Sequence, residues 1–295
     1  MHYIRSKKDL FFDIFVYFLL CIAMLIILYP LYFVIIASFS DPLEVLAGRV
    51  TWRPVGFSTE AYKMVFKDSQ VMSGYKNTIL YTLAGTSLNM VLTVAAAYPL
   101  SRRSLFGKNV ILKFMVFTMF FSGGLIPTYL HISDMGLLNT FAVMILPTAI
   151  STYNVMIMRT FFVNSIPYEL EEAAYVDGAN HLRSLASIVI PLSKPILAVM
   201  VLFYAVTHWN AYFSALIYLS DEKRYPLQLV LRSILIQNQA SEESLLNVES
   251  TFNRMLRGET IKYALIIVAS VPVLCLYPFL QKYFVKGIMV GSIKG

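Results

Sequence analysis

Residues 172–191 read EAAYVDGANHLRSLASIVIP, a polar stretch set between two runs, 135–158 and 195–220, that contain no Asp, Glu, Lys or Arg. A helix needs about 20 residues to cross a bilayer, so each flanking run is long enough to do so. The quoted segment therefore joins two crossings. Ser165 or Asn164 can cap a helix that begins near Pro167, and Glu169, Glu171 and Glu172 then fall in its first turns, where negative charge complements the helix dipole. At 100° per residue, Glu169, Glu172, Ala173 and Val176 share one face about 100° wide. Ala173 and Ala174 leave room for close approach by another surface. Gly178 supplies the positive φ that ends the helix. Asn180 can cap a second short helix running to Ile190, after which Pro191 and Pro195 return the chain to the bilayer. A small, acidic, tightly turned knob of this kind suits a cleft on a soluble partner that offers Arg. The plainer alternative is a solvated loop whose carboxylates face water; the combined spacing favours the knob.

Working outward, the whole chain has membrane composition. It is 58% hydrophobic and 14% charged over 295 residues, well outside ordinary soluble usage. An ionised group at the bilayer centre costs about 2.5–3.5 kcal/mol on the mild insertion scale, so charge-free runs mark crossings. Six are long enough: 14–40, 77–101, 114–133, 135–158, 195–220 and 263–281. The expectation is an all-α polytopic protein with one membrane domain, 1–295, and six transmembrane helices. Its polar segments are an inside loop at 165–192 and external loops at 41–76 and 221–262.

Lys and Arg set the orientation. With a cytoplasmic amino terminus, the short inside segments hold Arg5, Lys7, Lys8, Arg102, Arg103, Lys108, Lys113, Arg159, Arg183, Lys194, Lys282, Lys286 and Lys294, as the positive-inside rule requires. Both termini then lie inside. The net charge of +7 reads as topology; the cations are too dispersed for a nucleic-acid surface. The first apolar run far exceeds the 7–15 residues usual in a signal peptide and no A-x-A site follows it, so it reads as a retained helix. Cys21 and Cys275 sit in apolar runs and read as small buried hydrophobes. No metal site is expected. Gly123, Gly124 and Pro127 interrupt the third run; ordinary membrane-helix irregularity is favoured there over a gate.

The spacing of Glu172, Ala173, Ala174, Asp177, Gly178, Ala179, Ile188 and Pro191 resembles the EAA loop of ABC importer permeases, with Ile190 where that family more often has Leu. The stretches FFSGGLIPTYL (120–130) and YPFLQKYFVKGIMVGSIKG (277–295) resemble MalG-type carbohydrate permeases, most closely the LplC/YtcP-like oligosaccharide branch. The resemblance covers essentially the whole chain. It implies a type I importer (MetI-like) permease fold in a bacterial cytoplasmic membrane. It also implies partners: membrane lipid, a homologous second permease in a heterodimer, two ABC ATPase subunits and an extracytoplasmic solute-binding protein. Under it Glu172, supported by Glu169, meets a basic residue of the ATPase, while Ala173, Ala174 and Gly178 fit its cleft. Asp177, Ala179, Ile188 and Pro191 complete the coupling element. The tail residues Gly287, Gly291, Lys294 and Gly295 are candidates for further ATPase contact, against the alternative of a disordered basic tail. The segment 241–257 falls where the maltose system reaches into its binding protein, without a residue-level match.

No cofactor is expected on this chain. It has no G-x-x-x-x-G-K-[ST] loop to cradle phosphates, so ATP and Mg²⁺ belong to the partner ATPase and the chain is expected to be non-catalytic. His208 and Asn210 in the fifth run are the polar candidates for a pathway lining. The alternative is a polar contact between helices, typically about 0.6 kcal/mol per bond. Three rivals stand beside an oligosaccharide permease. An ABC permease for a non-sugar solute would spell the same loop. An intramembrane enzyme needs paired Asp, a Ser/His couple or a metal cluster in the spans, and the charge-free runs deny it carboxylates. An ion-coupled secondary transporter needs ionisable groups at mid-bilayer, where only His208 is a candidate.

Overall fold

The computed structural model describes residues 7–242, 256, 258, 261–275 and 278, and every regular element among them is helical. Two compact units emerge, Met1–Asp68 with Leu231–Ser270, and Ser69–Val230 with Val271–Gly295.

The first unit opens with α1 (Lys7–Ser38). Within Asp9–Ser38 the most apolar 18-residue window has a mean hydropathy of 2.8 and is only 6% buried, as a helix solvated by lipid would be. The chain then turns at Asp41, whose carboxylate accepts the Leu43 N–H at 2.8 Å and caps the short α2 (Pro42–Leu46). α3 (Glu60–Lys67) follows. Phe39 stacks on Phe57 at 5.8 Å, and Tyr29 lies 5.1 Å from Trp52. The segment after α1 is thus ordered rather than a free linker.

The second unit is organised around α4 (Ser69–Ser101). This helix begins eight residues before the charge-free run because Lys76 needs only to clear the hydrocarbon, not to leave the helix. It packs against α7 (Thr152–Ser165) and α11 (Lys194–Trp209). Ala97, Tyr98 and Leu100 meet Val155, Met158 and Phe162 of α7 and Met200 and Tyr204 of α11 in one buried cluster. The packing stripe on α4 reads Gly74, Thr78, Tyr81, Gly85, Asn89, Thr93 and Ala97. Small and weakly polar residues dominate it, since helices in lipid gain from close backbone approach rather than from hiding apolar surface. Thr93 and Tyr204 share a hydrogen bond of 2.7 Å across α4 and α11.

Among the described residues two helices, α1 and α4, are by themselves long and apolar enough to cross a membrane. Three further helix pairs are bent, and counting each pair as one crossing brings the number among the described residues up to five. The third expected span, 114–133, is divided into α5 (Lys108–Phe120) and α6 (Leu125–Asp134), which meet at 112°. Gly124 takes φ 87° and ψ 176°, a conformation closed to side-chain-bearing residues, and it sits at that break. The fourth, 135–158, is replaced by 3₁₀ turns at Ala142–Met144 and Leu146–Thr148, joined at 54° to α7. An 83° bend between His181–Leu192 and Lys194–Trp209 precedes the fifth expected run, 195–220; that run is divided between α11 and α12 (Phe213–Tyr218), and α13 (Leu227–Glu242) follows. Of the sixth expected run, 263–281, the described part is α14 (Ile261–Cys275) and Pro278. Cys21 and Cys275 are exposed rather than buried, because the apolar faces that carry them point away from the protein.

Candidate coupling surface

α7 ends at Ser165, so Asn164 and Ser165 close that helix instead of capping the next one. The next, α8 (Tyr168–Val176), starts from Pro167, whose φ of −58° and ψ of 135° set the entry without a side-chain cap. Glu169 and Glu171 occupy its first turn, where they offset the orphan N–H groups and the dipole. Ala173 and Ala174 carbonyls accept the N–H groups of Asp177 at 3.0 Å and Ala179 at 2.9 Å, and Gly178 at φ 78° turns the chain. Asn180 then caps α9 (His181–Ser184), its Oδ1 accepting the Arg183 N–H at 2.8 Å. A π-turn at Leu185–Val189 leads into α10 (Ile190–Leu192), where Pro191 lies exposed, Ile188 half-buried and Val189 in the core cluster.

The two faces of α8 have opposite characters. Glu169, Glu172, Ala173 and Val176 all point outward, with Val176 84% exposed. Ala174 and Glu171, on the other side, point into the protein. Ala174 is buried, and so belongs to the seat of the helix rather than its outer surface. Tyr175 at 74% and Leu182 at 75% exposure widen the outer face; sequence reasoning missed both, whose one signal was an apolar residue in a polar loop. Asp177 and Gly178 are exposed at the tip and Ala179 is half-buried.

Glu171 makes an ion pair with Arg102, the first residue after α4, with side chains 11% and 9% exposed. Arg102 is held from several sides. Its Nε donates to Ser101 Oγ at 2.9 Å, and its guanidinium lies 4.7 Å from the Tyr98 ring centre. Burial lowers the Arg102 pKa, with Tyr98 and Tyr168 opposing the shift; a guanidinium remains charged at any physiological pH. Next to it the Arg103 guanidinium lies 5.0 Å from the Tyr168 ring centre. The seat of α8 on the end of α4 is thus a buried charge pair flanked by two arginine–tyrosine stacks. A cavity of about 640 Å³ opens beside it, lined among others by Arg102, Glu171, Glu172, Tyr175 and His181.

His208 is 3% exposed, between α11 and α4, and its Nε2 lies 2.6 Å from Asn89 Oδ1. Asn89 in turn donates to the Thr148 carbonyl at 2.6 Å. Of the two roles open to His208, this is the contact between helices. Asn210 ends α11, exposed, with its amide donating to the Val206 carbonyl at 3.0 Å. The tail positions Gly287, Gly291, Lys294 and Gly295 lie outside the described residues, as does most of 241–257.

The second unit thus joins bent apolar helices to a short helix pair whose outer face is exposed. Residues 2–290 match the family of binding-protein-dependent transport system inner membrane components, and the chain belongs to that family. It is 41% identical over 288 residues, 98% of this chain and all of the relative, to the polygalacturonan/rhamnogalacturonan transport system permease protein YtcP of Bacillus subtilis. It is 40% identical over 266 residues, 90% of this chain and 89% of the relative, to protein LplC of the same organism. A crystal structure of a bacterial ABC transporter involved in the import of the acidic polysaccharide alginate contains a chain that superposes with a TM-score of 0.87. That chain is 36% identical, over 96% of this chain and 99% of that one. The protein is a membrane-embedded ABC importer permease with the MetI-like fold.

Proposed function

We propose that this chain is one of two homologous permeases in an ATP-driven, binding-protein-dependent importer of oligosaccharides, and that it carries six crossings with both termini cytoplasmic. The observation that carries the substrate class is the full-length similarity to YtcP and to the alginate transporter. The chain hydrolyses nothing itself. ATP and Mg²⁺ act on two partner ATPases, and closure of that pair draws α8 and α9 inward and turns the pathway toward the external binding protein. Glu169, Glu172 and Ala173 present charge and space to the ATPase from the outer face of α8, with Asp177 and Gly178 at the turn; Ala174 and Ala179 support them from beneath, and Ile188 and Pro191 fix the return to the bilayer. The tail residues Gly287, Gly291, Lys294 and Gly295 make a second contact with the ATPase. Asn210 lines the pathway.

The test is reconstitution in vesicles of this chain with its sister permease, ATPases and binding protein, offering uronic-acid oligosaccharides and neutral oligosaccharides. Uptake is expected only with ATP and the complete assembly. Uptake by this chain alone, driven by a proton or sodium gradient, would contradict the proposal in favour of a secondary transporter.

A further inference from the structure

Beside α8, a second cavity of about 520 Å³ is lined by Arg102, Arg103, Lys108 and Arg159, with Glu169 the one acid among its walls. The four cations come from three elements: the end of α4, the start of α5 and α7. Their partners are mostly neutral. Arg159 Nε donates to the Leu100 carbonyl at 2.9 Å, and Lys108 Nζ donates to the Arg102 carbonyl at 3.0 Å. Arg103 stacks on Tyr168. Of these four cations, Arg102 alone has a carboxylate in ion-pair range among the described residues. The terminal carbonyls of α4 offset part of this charge, but each engages one donor of a guanidinium that has five. Like charges gathered around one partly desolvated space repel, and an anion in that space relieves the repulsion.

The surroundings say which anion. The cavity lies where the apolar runs of α4, α5 and α7 give way to charged residues, so it sits at a membrane–water boundary. Phe106, in the loop between α4 and α5, is 97% exposed. Val110, Phe114 and Phe117 recur on α5 at i, i+4 and i+7, all exposed, forming an apolar stripe that leads away from the cations. A basic pocket continuous with an acyl-sized apolar track has the chemistry of a phospholipid site.

We propose that Arg103, Lys108 and Arg159 bind the phosphate of an anionic phospholipid, with its acyl chains along Phe106 and the exposed stripe of α5. Because α8 begins at the wall of the same cavity, bound lipid braces the seat of the coupling helix. The experiment uses the complete transporter in detergent, incubated with phosphatidylglycerol or with phosphatidylcholine of the same chain length and read by native mass spectrometry. Phosphatidylglycerol is expected to be retained in preference. Each removed charge is expected to weaken retention roughly fivefold. The double variant Lys108→Gln/Arg159→Gln is therefore expected to lose roughly 25-fold for phosphatidylglycerol and nothing for phosphatidylcholine. If that variant fails to assemble, Arg103→Gln at an exposed position carries the roughly fivefold test alone. Equal retention of the two lipids, or variants that keep phosphatidylglycerol as the parent does, would overturn the proposal. Complete displacement by glycerol 3-phosphate would overturn it too, reassigning the cavity to a soluble anion.

Discussion

Replacing Glu171 by Ala removes the carboxylate that pairs with Arg102 and leaves a guanidinium 9% exposed without its counter-charge. Breaking a buried pair from one side costs about 3–5 kcal/mol, most of it the stranded charge. Residual exposure here places the cost near 3 kcal/mol. The pair joins α8 to the end of α4, so the loss is paid in the docking of α8 and not in the α4–α7–α11 core. An opening equilibrium shifted by about 3 kcal/mol rises roughly 150-fold. Amide hydrogen exchange over 169–176 in the purified transporter measures it directly, with amides of α4 as the internal reference. Exchange in α8 is expected to accelerate roughly 150-fold in Glu171→Ala while α4 is unchanged. The double variant Arg102→Met/Glu171→Met is expected to recover most of the protection, because two apolar side chains strand no charge. Unchanged exchange in the single variant, or a double variant no better protected than the single, would refute the assignment of the pair as the seat of the helix.

Gly85→Ala drives a methyl group into the His208 ring, and the ring is buried and held by Asn89. Overpacking of this kind costs about 1–3 kcal/mol, so a lower thermal midpoint of the detergent-solubilised transporter is expected, with α8 exchange unaffected. Gly178→Ala meets nothing within 4 Å; its penalty is the positive φ alone, about 1–2 kcal/mol. Gly178→Asn is expected to recover part of it, both read by exchange in 174–181. Glu172→Lys reverses an exposed charge on α8 without disturbing its seat. Sugar-stimulated ATP turnover is expected to fall while thermal stability holds; turnover equal to the parent's would remove Glu172 from the coupling surface.

The apolar runs located α1 and the body of α4 because exclusion of charge is a one-dimensional property. The turn at Gly178 and the cap at Asn180 were also legible, each depending on a local rule and a specific residue. What the sequence hid is three-dimensional. Arg102 and Glu171 stand 69 positions apart, and neither reads as anything but a solvated charge until α4 and α8 are brought together. The packing stripe of α4 escaped a hydropathy reading because Gly85, Asn89 and Thr93 pack well without being apolar. The breaks in the third and fourth runs left the hydropathy intact, since a bend changes direction and not composition. Gly124 carried the signal for the sharpest of them, and the preference for ordinary irregularity there understated it. Pro167 displaced the expected side-chain caps because its ring fixes the entry angle of α8 unaided.

The account turns on the outer face of α8 meeting an ATPase. Cysteines at Ala173 and Val176, both exposed, with a buried control at Ala174, are crosslinked in membranes to the partner ATPase with and without ATP. Crosslinks from Ala173→Cys and Val176→Cys whose yield changes with nucleotide are expected, and little from Ala174→Cys. Absence of any crosslink from the two exposed positions in a transport-competent complex would contradict it and return α8 to a solvated loop.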